Sequence, residues 1–124
     1  MGNYREDDPR GPIRNYYALT KLVAEEAASA AMPEGKLLII RTSFRARQWP
    51  HPVAFSDLFT SQGYVNVLAP HIALAIAKAD EIPYDTLHIA GELRSALELA
   101  RERRPECNQL PARAPAWNYR RTCR

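Results

Sequence analysis

Glycine is scarce and scattered in this sequence: there are five, at positions 2, 11, 35, 63 and 91 of 124, no two closer than nine positions. That spacing excludes from the chain both the G-x-G-x-x-G turn of dinucleotide-binding folds and the G-x-x-x-x-G-K phosphate loop. Cysteine is scarcer still. Cys107 and Cys123 are too few for a disulfide scaffold and suit a reducing cytoplasm, although one bridge between them stays open. No run is apolar enough for a bilayer: the uncharged stretch 58–77 still holds Thr60, Gln62, Asn66, Pro70 and His71. The charged start, Tyr4-Arg5-Glu6-Asp7-Asp8, is no secretory signal. A cytoplasmic protein without a membrane partner is expected.

The sequence does have a globular balance, 46% hydrophobic and 25% charged residues. At 14.0 kDa it has room for one domain. Charge is uneven: residues 1–93 carry nine Lys/Arg against eleven Asp/Glu, and residues 94–124 carry eight Arg against three Glu. A basic end attracts polyanions, but no aromatic residue interrupts 94–104 to stack on bases. A solvated helix face and an irregular basic tail over 105–124 are expected, and nucleic acid is not an expected partner.

Helical signals come first. Asn15 is a good N-cap, and the Ala-, Leu- and Glu-rich run after it predicts a helix to about Ala31, stopped by Met32-Pro33-Glu34-Gly35. Lys36-Leu-Leu-Ile-Ile-Arg41 then reads as a strand buried on both faces. Residues 42–54 read as loop, and a short helix capped by Ser56 is expected over 56–61. Tyr64–Val67 reads as a brief strand. A helix follows with Pro70 in its first turn and Leu68, Ile72, Ile76 and Ala79 as its apolar stripe. Thr86–Ala90 is another strand. Ser95-x-x-Glu98 has capping-box spacing before a helix over 96–103, which Pro105 closes. The alternation predicts an α/β architecture.

Chemistry concentrates in Tyr16-Tyr17-Ala18-Leu19-Thr20-Lys21. Tyr17 and Lys21 are four residues apart and share one helical face. A phenol is a poor acid or base at neutral pH, and a nearby ammonium favours its ionised form. The pair therefore suits proton transfer to a carbonyl or alcohol oxygen. Its bland counterpart is an exposed lysine beside a half-buried tyrosine.

With its flanks, Tyr4-Arg5-Glu6-Asp7-Asp8-Pro9 and Pro12 through Glu25, the segment resembles the extended short-chain dehydrogenase/reductases. The likeness is to the sugar-nucleotide reductases and epimerases (NAD-dependent epimerase/dehydratases) related to dTDP-4-dehydrorhamnose reductase. Leu38–Phe44, Val65–Ala69 and Leu87–Gly91 with Ser95 resemble later segments of that family in the same order, over about residues 4–104. The resemblance implies a Rossmann-like fold of which this chain is the C-terminal half, the cofactor's glycine-rich loop and the catalytic Ser or Thr falling before Met1. It implies Tyr17 as general acid/base and Lys21 as the residue that tunes it and holds the nicotinamide ribose. Thr42 and Ser43 would lie beside nicotinamide or substrate. NAD or NADP would be the cofactor and a nucleotide-sugar the substrate, with no activity for the chain alone.

In a complete fold of that kind the Tyr17 helix packs on the nucleotide-binding sheet. The expectation is therefore an uncovered apolar face around Leu19, Leu22 and Val23, and self-association or pairing with a separate N-terminal half. The alternative function is a non-catalytic binding or assembly module that keeps the remnant fold and uses its arginine-rich end. His51, His71 and His88 are 20 and 17 residues apart, without metal-ligand spacing, so no metal is expected. His88, in an apolar run, reads as a hydrogen-bonded core histidine. Glu6, Asp7 and Asp8 read as solvent-facing acids rather than paired catalytic carboxylates. Trp49 and Trp117 fit either loop anchoring or a ligand wall.

Overall fold

A computed structural model describes residues 4–33 and 37–110. It is a mixed α/β protein with three α-helices and four two-stranded sheets among the described residues. Helix α1 (Tyr16–Ala31) starts where expected: the Asn15 side chain accepts the Ala18 N–H at 2.8 Å, satisfying an amide the first turn leaves unpaired. The helix ends at Met32 in extended backbone.

Strand β1 (Ile39–Thr42) pairs in parallel with β6 (Thr86–Ile89), Ile39 opposite Thr86 and Thr42 opposite Ile89. Parallel neighbours require a long crossover, which here includes helix α2 (Val65–Ala77) and a 3-10 turn (Ala79–Glu81). β1 is not buried on both faces. Its Ile39, Ile40 and Arg41 are half-buried and its sheet ends at it, so the apolar run of an interior strand forms an edge.

The remaining strands are very short. β2 (Phe44–Arg45) pairs in parallel with β5 (Gly63–Tyr64). β3 (Val53–Phe55) pairs in parallel with β8 (Asn108–Leu110), so the tail expected to be irregular contributes a strand. β4 (Phe59–Thr60) runs antiparallel to β7 (Arg94–Ser95), which replaces the helix expected over 56–61. Helix α3 (Ala96–Arg103) carries the full capping box. Ser95 accepts the Glu98 N–H, and the Glu98 carboxylate accepts the Ser95 N–H at 2.8 Å.

α2 departs from expectation twice. It begins at Val65, directly after β5, so Pro70 lies inside the helix and forfeits the hydrogen bond its missing N–H would make to Asn66. Its covered line is Leu68, Ile72 and Ala75, with Ala79 half-buried just past its end, whereas Ile76 is 63% exposed. Gly63 is favoured by packing, since a Cβ there would stand 2.9 Å from Leu68 Cγ.

The chain divides into two compact units. The α1 unit gathers Tyr4–Thr42 and His71–Ile89. The α3 unit holds Ser43–Pro70 and the described chain from Ala90. The buried cluster of Trp49, Ala54, Tyr64, Ala96, Leu97, Leu99, Ala100 and Cys107 belongs entirely to the α3 unit. No described helix is long and apolar enough to cross a membrane.

Candidate functional site

On α1 the half-buried residues are Ala18, Leu22, Glu25 and Ala28, one narrow line down the helix. Tyr17 and Lys21 lie one residue off that line and are both exposed, Tyr17 by 72%. The Lys21 ammonium stands over the Tyr17 ring, 5.3 Å from its centroid. Helical spacing thus brings the pair together as a cation on an aromatic face, a contact of about 0.5–1 kcal/mol at an exposed site. Thr20 Oγ1 donates to the Tyr17 carbonyl at 2.8 Å and turns its hydroxyl back onto the helix.

Thr42 ends β1 and is exposed. It belongs to the α1 unit together with Tyr17 and Lys21, whereas Ser43 belongs to the α3 unit, where its Oγ accepts from Gln62 Nε2 at 2.8 Å.

Sequence reasoning did not find the densest polar arrangement of the α1 unit. Arg41, on β1, grips Glu25 of α1 with two nitrogens, Nε to Oε1 at 3.0 Å and Nη2 to Oε2 at 2.8 Å. Arg10 pairs with Glu26 and approaches Glu25 at 3.9 Å. The Arg41 hydrogen bonds hold the Glu25 carboxyl below the usual carboxylate range, and the same bonds push the Arg41 guanidinium up. His88, on β6, has the polar partners expected of it but is half-buried rather than in a core, with Nδ1 3.1 Å from the Tyr4 carbonyl and Nε2 3.4 Å from Arg41 Nη1. Its backbone N–H, on the β6 edge that β1 does not use, donates to Glu6 at 2.8 Å and lowers the Glu6 pKa. These bonds tie the lead-in to β6 and β1 to α1. Acid, base and cation sit 16 to 82 residues apart, and no local spacing announces them.

The described arginines of α3 and its flanks have local partners. Arg94 bonds Glu102 at 2.8 Å, Arg104 bonds Glu106 at 3.0 Å, and Arg101 donates to the Cys107 carbonyl at 3.2 Å. Arg103 lies over the Tyr64 ring, 4.9 Å from its centroid. The Tyr64 hydroxyl donates to the Leu99 carbonyl at 2.6 Å, and burial pushes that phenol up. Cys107 is 1% exposed, and burial raises its thiol too. Cys123 and Trp117 lie outside the described residues. Trp49 is 6% exposed, the anchored ring of the simpler expectation, and it also walls a cavity.

Among the described residues no group of three His, Cys, Asp or Glu is arranged to hold a metal ion. Comparison with protein-family models, with curated proteins and with solved structures finds no match for the chain.

Proposed function

We propose that this chain supplies the Tyr17/Lys21 pair and part of the substrate lobe of an NAD(P)-dependent sugar-nucleotide reductase or epimerase, and is inactive alone. The observation that carries the reading is the Lys21 ammonium poised 5.3 Å from the ring of a tyrosine that solvent reaches. Two further features support it. The helix bearing the pair leads into a parallel strand, β1, whose apolar run suits a sheet interior although its far edge is open. Leu19 and Val23 of α1 are 42% and 56% exposed and Tyr16 is 87% exposed, apolar surface that a separate nucleotide-binding half or a second copy would cover, whereas Leu22, expected on the same open face, is half-buried.

In this mechanism the Tyr17 hydroxyl binds the keto oxygen of the nucleotide-sugar and gives up its proton there. Lys21, on the same helical face, is the cation beside that ring. NAD(P)H, when bound, supplies the hydride. By the family likeness Lys21 would hold the nicotinamide ribose, and Thr42, of the same unit, would serve the nicotinamide or the substrate. The scattered glycines offer its pyrophosphate no cradle. Of the eight arginines from residue 94 onward, the four described ones, Arg94, Arg101, Arg103 and Arg104, have partners within the chain, and the other four lie outside the described residues.

Reduced nicotinamide mononucleotide, which lacks the adenylate half, is the appropriate probe. In an NMR titration it is expected to move the Tyr17 and Lys21 resonances, and Lys21→Ala is expected to abolish the response. Unmoved resonances at saturating probe would overturn the proposal.

A further inference from the structure

Residues 4–8 are fastened through His88 to the β6 edge that β1 leaves free. Glu6 Oε1 accepts the His88 backbone N–H at 2.8 Å, in the place a neighbouring strand's carbonyl would take. The Tyr4 carbonyl lies 3.1 Å from Nδ1 of the same residue's ring. A tight turn stiffens the stretch: the Asp8 N–H donates to the Arg5 carbonyl at 3.2 Å, and the Arg5 N–H to the Asp8 carboxylate at 2.7 Å. An open strand edge is a template for pairing, and a charged side chain laid across it is a guard.

The two contacts of the His88 ring fix its proton. A carbonyl only accepts, so Nδ1 carries the hydrogen. A guanidinium only donates, so Nε2, 3.4 Å from Arg41 Nη1, carries none. The fastened state therefore requires a neutral ring. A second ring proton would sit on Nε2, facing an Nη1 hydrogen, and the contact leaves no space for both. Arg41 is not free to yield, because Glu25 of α1 holds it through Nε and Nη2. The ring yields instead and carries Nδ1 away from the Tyr4 carbonyl. The other tie from Arg41 to this segment, Nη1 to the Glu6 carbonyl, is long at 3.5 Å. The charges around the ring are Arg41 from β1, Glu25 from α1 and Glu6 from the lead-in, with Arg10 beside Glu25 and Arg5 beside Glu6. Both carboxylates favour a charged ring, but neither bonds to it: Glu25 is taken by Arg41 and Glu6 by the His88 N–H. They draw the second proton on without relieving the contact with Arg41.

We infer that residues 4–8 are an acid-released cover of the β6 edge, opened first by protonation of His88 and then by protonation of Glu6. Imidazole is the side chain that gains a proton on mild acidification, so its tie goes first. The Glu6 tie outlasts it. The hydrogen bond from the His88 N–H lowers the Glu6 carboxyl, so that bond is lost only as pH falls through the lowered value. The first step loosens the segment, and the second frees the His88 N–H, the donor an added strand would use. The device goes beyond the Tyr17/Lys21 reading and does not depend on it.

The experiment follows the whole chain by NMR as pH is lowered. At neutral pH the His88 nitrogen shifts are expected to show Nδ1 protonated and Nε2 bare. As the ring takes up its second proton, the amide resonances of residues 5–8 are expected to move with the same midpoint. Exchange of the His88 amide, corrected for the intrinsic effect of pH, is expected to quicken over that step by about fivefold, the scale of one lost hydrogen bond. Glu6→Gln keeps an acceptor for the His88 N–H but does not titrate, so it should retain the first step and lose the second. His88→Phe should lose the first step and retain the second. Should His88→Phe fail to fold, the wild-type tautomer and titration decide by themselves. A bare Nδ1, lead-in resonances that ignore the ring's titration, or a first step that persists in folded His88→Phe overturns the inference.

Discussion

In the α3 unit short strands and one eight-residue helix enclose Trp49, Tyr64, Leu97, Leu99 and Cys107, each at most 6% exposed. In the α1 unit a sixteen-residue helix and a parallel strand pair enclose almost nothing, Ala75 being the one described residue under a tenth exposed. The unit with the more regular backbone is thus the one with less of a core. Helix stability in proteins comes mainly from a packed face, and parallel sheets are ordinarily covered on both sides. By that measure the α3 unit is complete in itself. The α1 unit is held by hydrogen-bonded charges instead, Glu25 to Arg41 and Glu6 to His88. Regular secondary structure and a self-sufficient core are separate achievements.

The comparison breaks most directly at Leu99, which is 2% exposed. Leu99→Ala should cost the α3 unit about 2–5 kcal/mol in denaturant titration, through lost burial and the cavity left behind. A small cost would mean the cluster is not the core. Next comes Glu25→Gln, expected to destabilise the α1 unit by about 1–3 kcal/mol at neutral pH by leaving Arg41 without its charged acceptor. The pH dependence has a definite sign. Because folding lowers the Glu25 pKa, its contribution is present above the unfolded carboxylate pKa and fades as pH falls through the folded one. Amide exchange of α1 in wild type and variant should therefore converge on acidification, and a constant gap would remove the carboxylate from the argument.

Ser95→Ala should cost about 1 kcal/mol by uncapping α3, read from the exchange rates of its first-turn amides. The smallest effect is expected at Val23, 56% exposed on α1. Val23→Ala should change the stability of the dilute chain by about 0.5 kcal/mol or less. A loss near that of Leu99→Ala would show that the α1 face is covered after all, and the contrast between the units would fall.

The α/β class and much of the element order were legible because their signals are local. The Asn15 cap, the end of α1 at Ala31 and the Ser95/Glu98 box are written within three or four residues of where they act. Strands β2, β3, β4, β7 and β8 were missed because two or three residues carry no periodicity, and of the strand expected over Tyr64–Val67 only Tyr64 is in one, Val65–Val67 opening α2. Each exists through a partner elsewhere, as Phe59 does through Ser95. Pro70 was placed too early because helix preference was read without knowing that β5 would start α2 at Val65. In the candidate site the Tyr17–Lys21 proximity followed from helical spacing alone, while the Glu25–Arg41–His88 arrangement required β1, β6 and α1 to meet.

What the amino acids determined by themselves was whatever depends on neighbours within a turn: caps, breaks, a lysine beside a tyrosine, and the absence of a glycine cradle. Tertiary structure alone decided which apolar residues are covered, making Ala75 rather than Ile76 the buried position and β1 an edge. It also decided that the Arg45 guanidinium would lie over the Trp49 ring. The reason is physical: capping and side-chain spacing are short-range, whereas burial and charge pairing depend on chain segments that meet only once the backbone has folded.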